Sequence, residues 1–150
     1  MISKECFTAA WIDEKSTELH YNDKNIIEKV IRAFSLLDML AQSGCPFHFK
    51  GGSCLMLLLK DSRHRLSIDI DIICPPGTDI EQYLKAYKDY GFIDYKSVER
   101  IQRSKDVPKT HSKFYYRFLC GQYRLLIINC SETTPYNDLI LTFDSEKLSL

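Results

Sequence analysis

The chain has 150 residues, the length of one domain, with 45% apolar and 27% charged residues, an ordinary globular composition that excludes the disordered, collagen-like and coiled-coil classes. Twenty basic side chains balance twenty acidic ones, so no global field draws the molecule to nucleic acid or an anionic membrane, and any polyanion must be met locally. The longest stretch free of Lys, Arg, Asp and Glu, residues 39–49, falls well short of the roughly 20 residues of a bilayer span, and the first residues carry no apolar signal segment; a soluble, cytoplasmic chain without a membrane partner is expected.

Residues 4–20 mix Phe7, Trp11, Ile12 and Leu19 with charges and show no clean period. From Asn22 or Asp23, Ile26, Ile27, Val30, Ile31, Phe34, Leu37 and Ala41 recur at helical spacing up to Gly44 and Pro46, which predicts a long amphipathic helix of about 20 residues. Residues 47–50 read as a short strand, Gly51-Gly52 as a turn, and the Leu- and Met-rich run from Ser53 to Lys60 as a helix. Residues 66–73 alternate, with Leu66, Ile68, Ile70 and Ile72 on one face and Ser67, Asp69 and Asp71 on the other, and predict a strand. Pro75-Pro76-Gly77 ends it, and Thr78 or Asp79 caps a predicted helix to about Tyr90. Strands follow at 92–98, 113–120 and 123–130, the last two joined at Gly121-Gln122, with a basic loop at 100–110 and a further short strand at 139–143. This order argues one α/β (α+β) domain, a mixed sheet with helices packed on one side.

Two features carry chemistry. Asp69 and Asp71 on one strand face have their roots about 6.6 to 7 Å apart. Held so, each carboxylate raises the other's pKa, and the pair calls for a cation; hard oxygen donors suit Mg²⁺ or Mn²⁺. Gly51-Gly52-Ser53 at a helix start presents free N–H groups to an anion, with glycines permitting close approach and the Ser53 hydroxyl as a further donor. Taken singly, the first pattern is equally a solvated strand face and the second a plain turn. Sixteen residues apart on successive strands, they form a joint pattern that accident explains poorly.

Lys50-Gly-Gly-Ser53 followed by an apolar helix and Arg65-Leu-Ser-Ile-Asp-Ile-Asp71 resembles the signature of the nucleotidyltransferase superfamily related to DNA polymerase β. The residues are most similar to the AbiEii/AbiGii toxin group, with its K-G-G-[ST] turn and R-[FL]-S-x-D-[IL]-D strand. The likeness covers residues 47–73, and the long preceding helix is placed as in that family. It implies a palm-like mixed sheet on which Gly52 and Ser53 hold the β and γ phosphates of a nucleoside triphosphate, with Gly51 in the same turn and Lys50 and Arg65 offsetting phosphate charge. It further implies that Asp69 and Asp71 bind Mg²⁺ or Mn²⁺ while NMP passes to a hydroxyl of an RNA, a protein or a small acceptor. The implied biological setting is a toxin with an antitoxin partner.

Two departures from that pattern bear on catalysis. The superfamily's third carboxylate has no counterpart in residues 123–130; Asn129 is the polar stand-in for a metal ligand, and Glu132 lies just beyond. The helical half with which the family continues has no counterpart either, so a single domain over 1–150 is expected. These departures motivate an alternative, a degenerate module that binds nucleotide or a protein partner without turnover. A phosphotransferase with the first aspartate as nucleophile fits less well, because Arg63-His64-Arg65 replaces its apolar strand and the glycine turn goes unexplained.

The six scattered cysteines read as reduced thiols, and His20, His48, His64 and His111 as surface or capping residues. Tyr115, Tyr116, Phe118 and Tyr123 are either base-stacking or plain sheet residues, and Arg100, Arg103, Lys105 and Lys109 form a solvated loop or one that tracks an acceptor nucleic acid.

Overall fold

The computed structural model describes residues 2–59, 66–99, 111–120 and 122–131, with the backbone alone for Glu99, His111 and residues 119–131. The aperiodic N-terminal stretch resolves into a 3₁₀ turn, Lys4–Phe7, and helix α1, Ala9–Glu18, whose N-cap Thr8 accepts from the Trp11 amide. Helix α2, Lys24–Gln42, is the predicted amphipathic helix: the Asp23 carboxylate accepts from the Asn25 amide 2.9 Å away, and Gly44 at φ 73° closes the far end.

Strand β1, His48–Lys50, runs straight into helix α3, Gly51–Leu58. Strand β2, Ile70–Ile73, is followed by two 3₁₀ turns, Ile80–Tyr83 and Lys85–Lys88, and by strands β3, Phe92–Glu99, β4, His111–Cys120, and β5, Gln122–Ser131. The five strands form one sheet in the order β1-β2-β5-β4-β3, with β2 and β5 parallel and the other pairs antiparallel. This is the expected α+β mixed sheet.

Its inner face presents Ile70, Ile72, Phe114, Tyr116 and Phe118, and α2 seals it with Ala33, Leu36, Met39 and Leu40. Leu84, Ile80 and Phe92 complete this core. Six ring pairs join Tyr87, Phe92, Tyr95, Phe114, Tyr116 and Phe118, mostly edge-to-face at centroid separations of 5.3 to 6.4 Å. Cys45 and Cys74 are buried side by side, and burial together with that neighbour pushes the Cys45 thiol up to about 12. Among the described residues no helix is long and apolar enough to cross a membrane.

Two expectations change, and the register of β3 adds a feature of its own. The ladder of β2 begins at Ile70, so 66–69 approach the sheet without pairing, although Ile68 still packs on the core. The helix predicted to Tyr90 is instead two 3₁₀ turns, with Asp79 accepting from the Glu81 amide as its cap. Ile80 and Tyr83 are three apart, as are Leu84, Tyr87 and Tyr90, a spacing that the tighter helix puts on one face. At the start of β3 the register slips between Phe92 and Asp94, which turns Phe92 inward against Phe118 and Asp94 outward against Arg117. The predicted hairpin holds, with Gln122 already paired to Cys120. The loop at 100–110 and the strand at 139–143 lie outside the described residues.

Candidate active site

The site is built where β1, α3 and β2 meet. Lys50, the last residue of β1, pairs with Asp71 and is also the N-cap of α3. Gly51 follows at φ 81°, a left-handed conformation that glycine alone adopts freely, and a Cβ there would sit 3.0 Å from Cβ and Cγ of Asp71 and closer still to its Oδ2. At Gly52 a Cβ would meet the Ser67 hydroxyl at 3.0 Å. Both glycines are therefore set by the face of 67–71 that carries the acids. The glycine turn therefore lies directly against the Asp71 carboxylate.

Helix α3 starts two residues earlier than expected, and Ser53 is put to a different use. It is fully buried, and its hydroxyl donates to the Asp69 main-chain carbonyl at 2.6 Å. With its one proton so engaged, Ser53 pins the first turn of α3 to the aspartate segment, and Gly51 and Gly52 just before it are exposed. Tyr21 adds a second brace, its hydroxyl accepting from the Leu66 amide at 3.2 Å. Lys50 is exposed beside the turn, and Arg65 lies outside the described residues.

Burial raises the Asp69 pKa, the neighbouring Asp71 charge raises it further, and the Lys113 ammonium pulls the other way. Two carboxylates so close together are a fit donor set for a hard divalent cation that takes one or two carboxylates and completes its shell with water and substrate phosphates. Among the described residues no group of three His, Cys, Asp or Glu side chains is placed to hold a metal.

The parallel register puts Asn129 of β5 directly beside Asp71. Lys113 of β4 is next in that row and Val98 of β3 the last. Sequence reasoning located Asn129 but missed Lys113, which it took only as a strand residue; no local signal marks it, since its place depends on which strands pair.

Beyond Lys113 the outer face holds an open groove of about 580 Å³ lined by Asp94, Tyr95, Lys96, Val98, Tyr115 and Arg117, the last ion-paired with Asp94. Of the aromatic candidates, Tyr116 and Phe118 are fully buried core residues, which removes them from base stacking, and half-buried Tyr115 lines the groove.

A comparison with curated proteins finds no match. The family model described as "Nucleotidyl transferase AbiEii toxin, Type IV TA system" matches residues 35–132, about two-thirds of the chain, from the middle of α2 to just past β5. That span contains the glycine turn, both aspartates, Lys113 and Asn129, and the chain belongs to the AbiEii nucleotidyl transferase toxin family of type IV toxin–antitoxin systems.

Proposed function

We propose that this protein transfers NMP from a nucleoside triphosphate to a hydroxyl of an RNA, a protein or a small acceptor, as the toxin of a pair with an antitoxin. The observation that carries this reading is the close approach of Gly51 to the Asp71 carboxylate, which sets the start of α3 beside the carboxylate pair. The exposed amides of Gly51 and Gly52 receive the terminal phosphates, with Lys50 and Arg65 as counter-charges. Asp69 and Asp71 hold Mg²⁺ or Mn²⁺, with Asn129 as the neighbouring neutral ligand. The metal, when bound, neutralises charge on the reacting phosphates.

The acceptor oxygen forms a bond to the α-phosphorus while the bond from that phosphorus to the α–β bridging oxygen breaks. Pyrophosphate leaves with the electron pair, and the hydroxyl proton passes to solvent water. The braces from Ser53 to the Asp69 carbonyl and from Tyr21 to the Leu66 amide keep the acids aligned with the turn, a positional contribution that costs nothing at the moment of reaction.

A second reading is supported by the Asp71–Asn129 register, which puts a neutral amide where the superfamily keeps a third carboxylate: a module that binds nucleotide or a protein partner without turnover. One assay separates the two. With Mg²⁺, total RNA and each α-labelled triphosphate in turn, label transfer that falls by at least about 10³-fold in Asp69→Ala and Asp71→Ala is expected for the enzyme. Thermal stabilisation by Mg-nucleotide without transfer selects the binding module, and no stabilisation at all removes both.

A further inference from the structure

Resting on the transfer reading, one residue of the outer face has a chemistry of its own. The row Lys50, Asp71, Asn129, Lys113 crosses four strands on one face of the sheet. Lys50 and the glycine turn flank the acids on the β1 side, where the terminal phosphates are received. Lys113 stands on the opposite side, two strand spacings or about 9.6 Å of backbone from Asp71, a gap that a flexible four-carbon stem is suited to bridge. It is half-buried and lies between the acids and the groove that Val98 and Tyr115 line. With the terminal phosphates received at the turn, the Lys113 side is the one left for the acceptor in this reading. Asn129, neutral where a third carboxylate would add negative charge, leaves Lys113 as the next residue of the row.

We propose that Lys113 is a catalytic residue that meets the phosphoryl group in transfer from the acceptor side, supplying there the positive charge that a third carboxylate would otherwise recruit as metal. In the step itself the acceptor oxygen bonds to the α-phosphorus, the α–β bridging bond breaks, pyrophosphate leaves and the hydroxyl proton goes to solvent water. Lys113 makes and breaks no bond in this step and contributes only its positive charge.

The test uses the full chain with Lys113→Met and Lys113→Arg, each checked for wild-type thermal unfolding. Single-turnover label transfer is measured with Mg-nucleotide, and Mn²⁺ binding to the protein alone is measured by electron paramagnetic resonance. Lys113→Met is expected to slow transfer by about 10²–10³-fold with the nucleotide KM held within about threefold, and Lys113→Arg to recover a tenth or more of the rate. Removing the like charge is expected to tighten Mn²⁺ binding by about fivefold in Lys113→Met. A folded Lys113→Met that transfers at the wild-type rate, or one that loses activity with no arginine rescue and unchanged Mn²⁺ affinity, overturns the proposal. If the wild type transfers no label, the transfer reading fails and the catalytic role with it; tighter Mn²⁺ binding then still supports Lys113 beside the acids, and unchanged binding overturns that placement too.

Discussion

The two faces of the one sheet have been built to opposite rules. The inner face is apolar and closed: Ile70, Ile72, Phe114, Tyr116 and Phe118 are fully or almost fully buried in the core that α2 and the Tyr87, Phe92 and Tyr95 rings complete. The outer face, one residue out of phase on the same strands, carries Asp71, Lys113, Tyr115 and Arg117, all partly exposed. Period-two alternation lets a single strand serve both: Ile70 and Ile72 anchor β2 by dispersion and hydrophobic burial, and Asp71 between them is held by its neighbours' packing. Stability lives on the inner side, and the outer side can carry unfavourable charge because the inner side supports it.

Breaking the inner face should give the largest loss of stability. Leu36→Ala, at a fully buried position of α2, is expected to cost about 2–5 kcal/mol by chemical denaturation. A smaller value would mean that α2 does not seal the sheet as described.

Gly51→Ala strikes the seam between the faces. Its positive φ and the approach of Asp71 predict a loss of about 1–3 kcal/mol together with the loss of nucleotide binding. Adding Asp71→Ala should return part of that stability by removing the clash, leaving the backbone strain; strict additivity of the two would deny that they touch.

The smallest effect sharpens the contrast, because on the outer face a substitution should stabilise. A raised folded-state pKa means that Asp69 favours folding most when protonated, below its unfolded value, and that this contribution is lost as pH rises through the folded value. At pH 7 Asp69→Asn, relieved of burial and of the Asp71 charge, should unfold about 1–3 °C higher, a gain kept small by solvent screening. Below about pH 3.5, where both side chains are neutral, the gain should vanish. A lower melting temperature for Asp69→Asn at neutral pH would show that the carboxylate is compensated by a partner stronger than Lys113.

Much of this was legible beforehand, because its causes are local. The helical spacing of apolar residues in α2, the alternation through Ile72 and the stop signals at Gly44 and Pro75-Pro76-Gly77 act over a few residues each, and the structure keeps these elements, although the buried face of α2 turns to Ile27, Ile31, Ala33, Leu36, Met39 and Leu40 and leaves Ala41 exposed. The stretch from Thr78 to Tyr90 misled because apolar residues three and four apart suit both helix types, and contact with the core selected the tighter one. Ser53 misled because a hydroxyl beside a glycine turn at a helix start suits a donor to an anion, whereas here it donates to a carbonyl sixteen residues away.

By itself the sequence determined most of the elements and the two faces of β2, since backbone sterics and side-chain periodicity operate within short windows, whereas pairing of β1 with β2 brought the glycine turn against Asp71. Only the tertiary structure decided that β5 lies parallel to β2, and hence that Asn129 stands beside Asp71 with Lys113 next in the row. Strand order and register are set by burying one continuous apolar face under α2, a property of the assembled sheet to which distant segments contribute together.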